Sequence, residues 1–562
     1  MTRPAFRIFS AFVLALFFLG QGMKAPFQKD DEARPAGIIL DIVSHNHWLV
    51  PADLYGEPTR KPPLFYWMSA AIAHMRGGVV DEPGARAVSL LAAAATAVIV
   101  AEVACAHFGA IPGWLAYLFL MGTYGFASRA AFARTDMLFT FFVFAAYCAL
   151  FPLAEGAEST PRAIGTGALL GLAILTKGPL AMALCTLGVG MYFAMMGRNP
   201  LGLCFKRWPW IVLSVALGIG AGWYIPAFIR DPGLLRVQIV EENLGHFLPA
   251  RLGGTGEARR PFYYMFLRFL GATLPLNFYL PAAVPIVMRE RKSGGMLLYQ
   301  FGLLLAMLCF FTIASAKRDD YILYAIPPFA IVIAAPFARV AASANRTSVR
   351  LADIASSVAG VAMLLLATVG FIIYGYTDHF FRIAARMHPS DTAYLRAFIA
   401  ATEHRTMRIE LTLVVIAITS VSALYIVFRQ NGRVAALSIA LAELAALSLW
   451  IGLLTPRFAR NHTLKDFVLK AKDLAGYREV AIADARNYEV SYYFGREVPA
   501  WPKPFATSQR PPDAAYMFVW SRDLDRIHAD LPQSSTVLES GTITNRGRML
   551  FLSVDRQAQP SG

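Results

Sequence analysis

Thirteen apolar runs follow one another along the first 454 residues, near 8–27, 85–108, 111–129, 135–153, 163–176, 178–196, 210–228, 264–288, 296–314, 321–342, 353–376, 410–427 and 434–454. A hydrocarbon core of roughly 30 Å needs about 20 such residues in a helix, so the pattern predicts thirteen transmembrane helices. The fifth is short, and the turn TKGP separates it from the sixth. The first run, RIFSAFVLALFFLGQG, has the basic start of a secretory signal. It lacks a convincing small-x-small cleavage site and many apolar runs follow it, so it is read as a retained span.

Beyond residue 455 the pattern changes. EVAIADAR, AAYMFVWS and RMLFLSVD are short strand-like runs, while NYEVSYYF and RDLDRIHADL have helical spacing. A small α/β domain is expected over about 460–557, so that residues 456–562 form a soluble tail behind a transmembrane domain of residues 1–455.

Charge orients the spans. Arg3 and Arg7, Arg198 with Lys206 and Arg207, Arg289 with Arg291 and Lys292, Arg346 with Arg350, and Arg429 with Arg433 fall in alternate loops. The positive-inside rule makes those loops and the N-terminus cytoplasmic. The connections 28–84, 229–263 and 377–409 then face outward, as does the tail. Composition agrees, because only 16% of residues are charged and 56% are hydrophobic, where a soluble chain carries about 25% charge. The net charge of +15 suits an anionic membrane surface or a phosphate-bearing substrate, although part of it only sets topology. The expected surroundings are therefore a lipid bilayer, with no nucleic acid partner. The five cysteines include no C-x-x-C pair, which supports neither a disulfide framework nor a cysteine metal site.

Orientation collects a set of polar groups on the outer face. Asp30, Asp31, Glu32 and Arg34 follow the first span, and Lys61 in RKPPLFYW closes the same connection. Arg134 and Asp136 open the fourth span, Lys177 is in the TKGP turn, and Lys317, Arg318, Asp319, Asp320 and Tyr321 begin the tenth. Each has a plain reading. KDDE alone is a solvated loop, Asp136 a helix cap, KPPLFYW a turn with interfacial aromatics, and Lys177 a snorkelling side chain. His45 and His47 form an H-x-H pair with no third ligand near in sequence, so a solvated or packed role is expected and no metal site is predicted. Jointly the outer-face charges point further, since ionisable groups in apolar sequence are costly unless they line a cavity. Two separated aspartates with several cations describe a pocket for an anionic substrate with carboxylates available for chemistry. The aspartates are candidates to orient sugar hydroxyls, to hold a divalent cation or to act as base. No P-loop or nucleotide-binding glycine-rich turn lies near them, which favours a lipid-carried donor over a nucleotide sugar.

The stretches DEAR…HNHWLVPADLYGEPTRKPPLFYW, RTDMLFTFF, GLAILTKGP, RPFYY and SAKRDDYIL, in this order over most of residues 1–330, resemble the lipid A aminoarabinose transferases. These are relatives of the dolichyl-phosphate-mannose protein mannosyltransferases. The resemblance implies the C-type glycosyltransferase membrane fold. It also implies transfer of a sugar, 4-amino-4-deoxy-L-arabinose or a related amino sugar, from undecaprenyl phosphate to lipid A phosphate, at the periplasmic side of a bacterial inner membrane. By position, Asp31 matches the aspartate of the family's D-E-x-R-Y motif, with Glu32 and Arg34 its next charged residues. Lys61 matches the lysine of K-P-P, Asp136 the second acidic residue, and Tyr321 the tyrosine after S-x-K. Asp31 and Asp136 are the expected catalytic residues. Glu32, Arg34, Lys61, Arg134, Lys177, Lys317, Arg318 and Tyr321 are expected to bind substrate, with Lys61, Lys317 and Arg318 on phosphates.

The chain departs from that pattern in three places. Pro35 replaces the motif's tyrosine, Arg60 stands where a glutamate commonly precedes the lysine, and Ala258 stands where a histidine often precedes RPFYY. The last two look like the family's metal-ligand positions, so no zinc site is expected, and Arg60 becomes a candidate phosphate clamp. Rival readings are a hexose or aminohexose transferase acting on another envelope glycan or protein, and a polyprenyl-lipid transporter. Charge gathered at one face, rather than at the midplane on broken helices, disfavours transport.

Overall fold

The apolar runs fold as helices, as predicted. In this computed structural model residues 4–27, 29–244, 260–338, 346–376, 379, 407–429, 431–505, 514–527, 535–543 and 547–554 are described. Ala258 and the 377–409 connection (apart from 379 and 407–409) lie outside them, as do residues 528–531 of RDLDRIHADL.

Nine helices among the described residues are long and apolar enough to cross a membrane, and two bent pairs raise the number to eleven. By length and composition alone, the described residues thus supply nine to eleven of the thirteen expected spans. α1 (Pro4–Leu19), α4 (Glu82–Phe108), α7 (Thr135–Ala154) and α10 (Arg207–Arg230) match expected spans. The run 111–129 is α5 (Ala110–Gly122) and α6 (Tyr124–Ala130), bent by 68° at Thr123. The run 264–288 breaks by 100° at the segment Leu274–Pro275. α8 (Thr160–Lys177), diluted by glycine, threonine and its terminal Arg162 and Lys177, and α9 (Leu180–Met195), of 16 residues, fall short of full spans.

The span Asp319–Phe337 is 94% enclosed by protein, whereas Pro4–Gly22 and Met407–Phe428 are only 22% enclosed. It is thus the centre of the bundle, and what its first turn carries must face other protein. α8 is held against α10 by small residues. A Cβ on Gly167 would lie 2.7 Å from Val215 Cβ, and one on Gly171 2.7 Å from Ile219 Cβ. This is the Gly-x-x-x-Gly spacing that lets two apolar helices approach closely in lipid. Gly178, at φ 85°, then ends α8 just after Lys177.

The connection 28–84 is no loop. Two helices occupy it, α2 (Lys29–His45) and α3 (Leu64–Met75). The charges that read as a wet loop are the first turn of α2, where Asp30, Asp31 and Glu32 complement the positive end of the helix dipole. Pro35 lies inside the helix, one turn on, and removes the N–H that would reach the Asp31 carbonyl.

Glu32 fixes α2 in place. It is fully buried and accepts two bonds from Arg86 of α4, Nε to Oε1 at 2.8 Å and Nη2 to Oε2 at 2.6 Å. Arg86, itself 2% exposed, spends its remaining donors on the carbonyls of Gly22, Met23, Ala25 and Pro26. The Ala133 N–H also donates to Glu32, at 2.9 Å. One ion pair therefore joins the end of α1, α2, α4 and the approach to α7.

In the tail, the three strand-like runs are β1 (Val480–Ala483), β2 (Tyr516–Trp520) and β4 (Gly547–Ser553), and an unexpected β3 (Thr536–Ile543) completes the sheet. The order is β1-β2-β4-β3, with β1 parallel to β2 and the other pairs antiparallel. NYEVSYYF contains the helix Tyr488–Phe494, which reaches back to the bundle. The Tyr488 N–H donates to Asp30, the Tyr493 hydroxyl to Glu82, and the Phe27 N–H to the Tyr493 hydroxyl.

Removing one partner of a buried pair strands the other, at a cost of roughly 3–5 kcal/mol. Glu32→Ala is expected to lower stability by that order. Asp31→Ala, at the adjacent and largely exposed position, is expected to stay within about 0.5 kcal/mol of the parent. Unfolding of the detergent-solubilised variants checks this, and equal stabilities would contradict the role given to Glu32.

Candidate active site

The N-terminal turn of α2, the residues before α3, the start of α7, the end of α8 and the first turn of the central span converge on one cavity of about 440 Å³. Asp31, Arg34, Lys61, Arg134, Asp136, Lys177, Arg318 and Tyr321 all line it. Of the ten expected site residues, eight are thus brought together.

The other two are placed elsewhere. Glu32 points away, into the clamp with Arg86, because the Cα–Cβ directions of successive helical residues diverge by about 100°, so that of this adjacent pair Asp31 alone lines the chamber. Lys317 is buried outside the lining, its Nζ donating to the Ala314 carbonyl at 2.7 Å. Burial lowers its pKa below the usual lysine value.

Arg134 organises the acidic wall. It precedes α7 in extended conformation, and its guanidinium reaches Asp320 at 2.7 Å, Asp136 at 3.4 Å and Asp31 at 3.6 Å. Asp136 is buried and already satisfied, since Lys177 Nζ and the Tyr324 hydroxyl (2.9 Å) both donate to its Oδ1. Lys177 also donates to Tyr324 at 2.6 Å, and its Nζ lies 5.4 Å from the centre of the Tyr321 ring. Asp31 differs in kind. Its side chain is 60% exposed, and Arg134 is its ion-pair partner across the chamber.

The cations also divide. Lys61 is paired with Glu242, and Arg34 with Asp53 at 2.9 Å and Glu57 at 3.4 Å. Arg60 and Arg318 line the chamber with no side-chain hydrogen bond or ion pair to any described residue. Counted together, six cations and five carboxylates line the cavity, so it is no simple basic funnel. Its capacity for an anion rests on which cations remain unengaged.

Several lining residues escaped the sequence reading as site members. Asp320 was visible in KRDDY, and Tyr324, in the same short helix, stands behind the lining, where its hydroxyl donates to Asp136. Glu242 carried no signal, because it pairs with Lys61 across 181 residues. Tyr488 of the tail also lines the chamber. It donates to Asp53 at 3.0 Å, and burial, the largest cause, pushes its pKa up to about 12. A smaller cavity of about 200 Å³ lies on the other side of Asp320, lined by Arg129, Arg268 and Asp319 with Tyr124, Trp450 and Phe458. Asp320 bonds Arg129 at 2.8 Å, so this ion pair partitions the two spaces.

A divalent cation does not fit the chamber's acids. Asp136, Asp320 and Glu242 each hold cationic side chains, and the Arg60 guanidinium adds a further positive charge to the lining. The one cluster of three carboxylate or imidazole ligands at metal-binding separations among the described residues lies elsewhere.

Residues 60–225, which carry Lys61, Arg134, Asp136 and Lys177, match the family model of the dolichyl-phosphate-mannose-protein mannosyltransferases. The chain is also similar to undecaprenyl phosphate-alpha-4-amino-4-deoxy-L-arabinose arabinosyl transferases. Identity to that of Aeromonas salmonicida is 26%, over 65% of this chain and 66% of the relative. To that of Edwardsiella ictaluri it is 27%, over 62% of each, and to that of Aeromonas hydrophila 28%, over 60% of each. These matches thus span less than two thirds of the relatives' length. The crystal structure of ArnT from Cupriavidus metallidurans bound to undecaprenyl phosphate superposes with a TM-score of 0.75 over 99% of both chains, at 16% identity. The apo form gives 0.76 over 100% of both chains, at 17% identity. The chain has the C-type glycosyltransferase membrane fold, a polytopic helical bundle with a small sheet.

The shared guanidinium makes Arg134 and Asp320 thermodynamically coupled. Arg134→Ala is expected to cost more than Arg134→Ala does in an Asp320→Asn background, with a coupling of about 0.5–3 kcal/mol. A double-mutant cycle on unfolding checks this, and strictly additive effects would remove the pairing from the account.

Proposed function

We propose that this chain is a glycosyltransferase of the bacterial inner membrane that uses a polyprenyl-phosphate sugar and works at the periplasmic face. The donor is undecaprenyl phosphate carrying 4-amino-4-deoxy-L-arabinose or a related amino sugar, and the acceptor is a phosphate of lipid A. One observation carries the reading: an exposed carboxylate, Asp31, shares a chamber with the guanidinium groups of Arg60 and Arg318, which have no ion-pair partner among the described residues, at the end of an apolar bundle. Similarity to transferases whose names specify that donor supports it.

The chemistry follows from charge. The C1–O bond to the donor phosphate breaks, and C1 bonds to an acceptor phosphate oxygen. The donor diester, with one negative charge, leaves as a monoester with two, so cations that meet this growing charge lower the barrier. Arg60 and Arg318, which hold no described side chain, are placed to do so, and Lys61 joins them when phosphate displaces Glu242. An acceptor phosphate is already ionised near neutral pH and needs no general base. Asp31 therefore faces the sugar and stabilises the positive charge that grows on its ring as the leaving bond lengthens. Asp136, saturated by Lys177, Tyr324 and Arg134, holds those groups in position, which assigns it a supporting role behind Asp31.

Asp31→Asn is expected to lower turnover by about 10²–10³-fold, the order seen when one electrostatic group facing a transition state is lost. Arg60→Ala and Arg318→Ala are expected mainly to raise the donor KM. Mass spectrometry of lipid A with and without the protein, together with turnover of the variants in membranes, reads these effects. Full activity of Asp31→Asn would refute its assignment, and a lipid A spectrum independent of the protein would refute the acceptor.

A further inference from the structure

We propose that Asp41, His45 and His47, at the opposite end of α2 from Asp31, bind one divalent transition metal ion of borderline softness, such as zinc. The inference does not depend on the transferase reading. The expectation that the H-x-H pair has no third ligand near in sequence is corrected: Asp41 lies one helical turn upstream of His45. A helix places i and i+4 on one face, so Asp41 and His45 meet at 3.0 Å, Oδ1 to Nδ1. The chain then leaves α2 through Asn46, whose left-handed φ of 60° turns it back. That brings His47 Nδ1 to 3.0 Å from the same carboxylate oxygen.

Donor type, spacing and preorganisation all fit a metal. Two imidazoles and one carboxylate form the donor set of open zinc sites, with metal–ligand bonds of about 2.0–2.2 Å. Around a tetrahedral ion such bonds put the ligand atoms roughly 3.3–3.5 Å apart. The three ligand atoms here lie within 4.8 Å of one another, and the two His–Asp separations need open by only a few tenths of an ångström. The carboxylate is held from behind, since Asp41 Oδ2 accepts the Ala52 N–H at 2.9 Å. This is the outer support that metal-binding carboxylates require. The turn is held too. Trp48 Nε1 donates to Asn46 Oδ1 at 3.0 Å, Trp67 Nε1 donates to the Trp48 carbonyl at 2.6 Å, and the Trp48 ring stacks on His74. The imidazoles are 65% and 57% exposed, which leaves room for water or another ligand to complete the coordination.

The ion would tie the end of α2 to the turn that follows it. That turn continues through the bridge between Ala52 and Pro58, and Asp53 within it holds both Arg34 and Tyr488 at the chamber. The metal is thus structural, a staple that supports the chamber's rim from outside.

The test is titration of tag-free, full-length protein in detergent with Co²⁺ alone and with Zn²⁺ alone. Wild-type protein is expected to take up one equivalent of Co²⁺ with visible absorption of a four- or five-coordinate site, displaced by Zn²⁺, and to melt at higher temperature with metal. His45→Ala/His47→Ala is expected to weaken binding by more than about 10-fold and to lose the thermal shift, as outer-support changes alone cost about 10–100-fold. Because both imidazoles are exposed, the metal-free variant should melt like metal-free wild type. Asp41→Asn, which keeps an acceptor for Ala52, should weaken the metal without unfolding the turn. No stoichiometric uptake by wild type, or equal affinity in the double variant, would overturn the site.

Discussion

An arginine and a glutamate buried together are tolerable only if every donor finds an acceptor, and the Glu32–Arg86 pair meets that demand by recruiting backbone from two segments, residues 22–26 and Ala133. The consequence reaches past stability. Glu32 is the neighbour of Asp31, and Ala133, whose N–H it binds, is the neighbour of Arg134. Fixing Glu32 against Ala133 therefore brings the next residues of both segments face to face, and Asp31 and Arg134 meet across the chamber. A silent ion pair on one side of α2 sets the register of the reactive groups on the other.

This arrangement also explains how much of the site could be read from the chain. Asp31, Asp136, Lys61, Lys177 and Tyr321 stood out because ionisable or aromatic groups in apolar sequence at span ends are unusual, and the motif order then fixed their association. Glu32 carried the same signal and was misplaced, because side-chain direction within a helical turn is invisible until the helix itself is known. Composition hid that helix, since acids at an N-terminus and a proline at one turn's distance look like a loop to any hydropathy scale. Lys317 was drawn in by its neighbours in SAKRDDY but turns back on a carbonyl of its own connection.

The misses share a different cause. Glu242 and Tyr488 enter through partners far along the chain, and no local spacing announces such contacts. The bends at Thr123 and at Leu274–Pro275 were equally illegible, because hydropathy measures apolar length and not direction. In the tail, β3 was missed because its serine, threonine and glycine weaken alternation, while its pairing with β4 needs only backbone groups. The helix at Tyr488–Phe494 was legible as a helix, but its docking on α2 was not.

The close approach of α8 to α10 at Gly167 and Gly171 has a mechanical meaning. Lys177 lies six residues beyond Gly171, about 9 Å along a rigid helix at 1.5 Å per residue. Its height is therefore set by steric contact deep among apolar helices, and not by attraction to the headgroup region. The ammonium behaves as the tip of a post whose foot is wedged in the bundle, so lipids of different thickness would shift post and socket together and leave the distance to Asp136 unchanged.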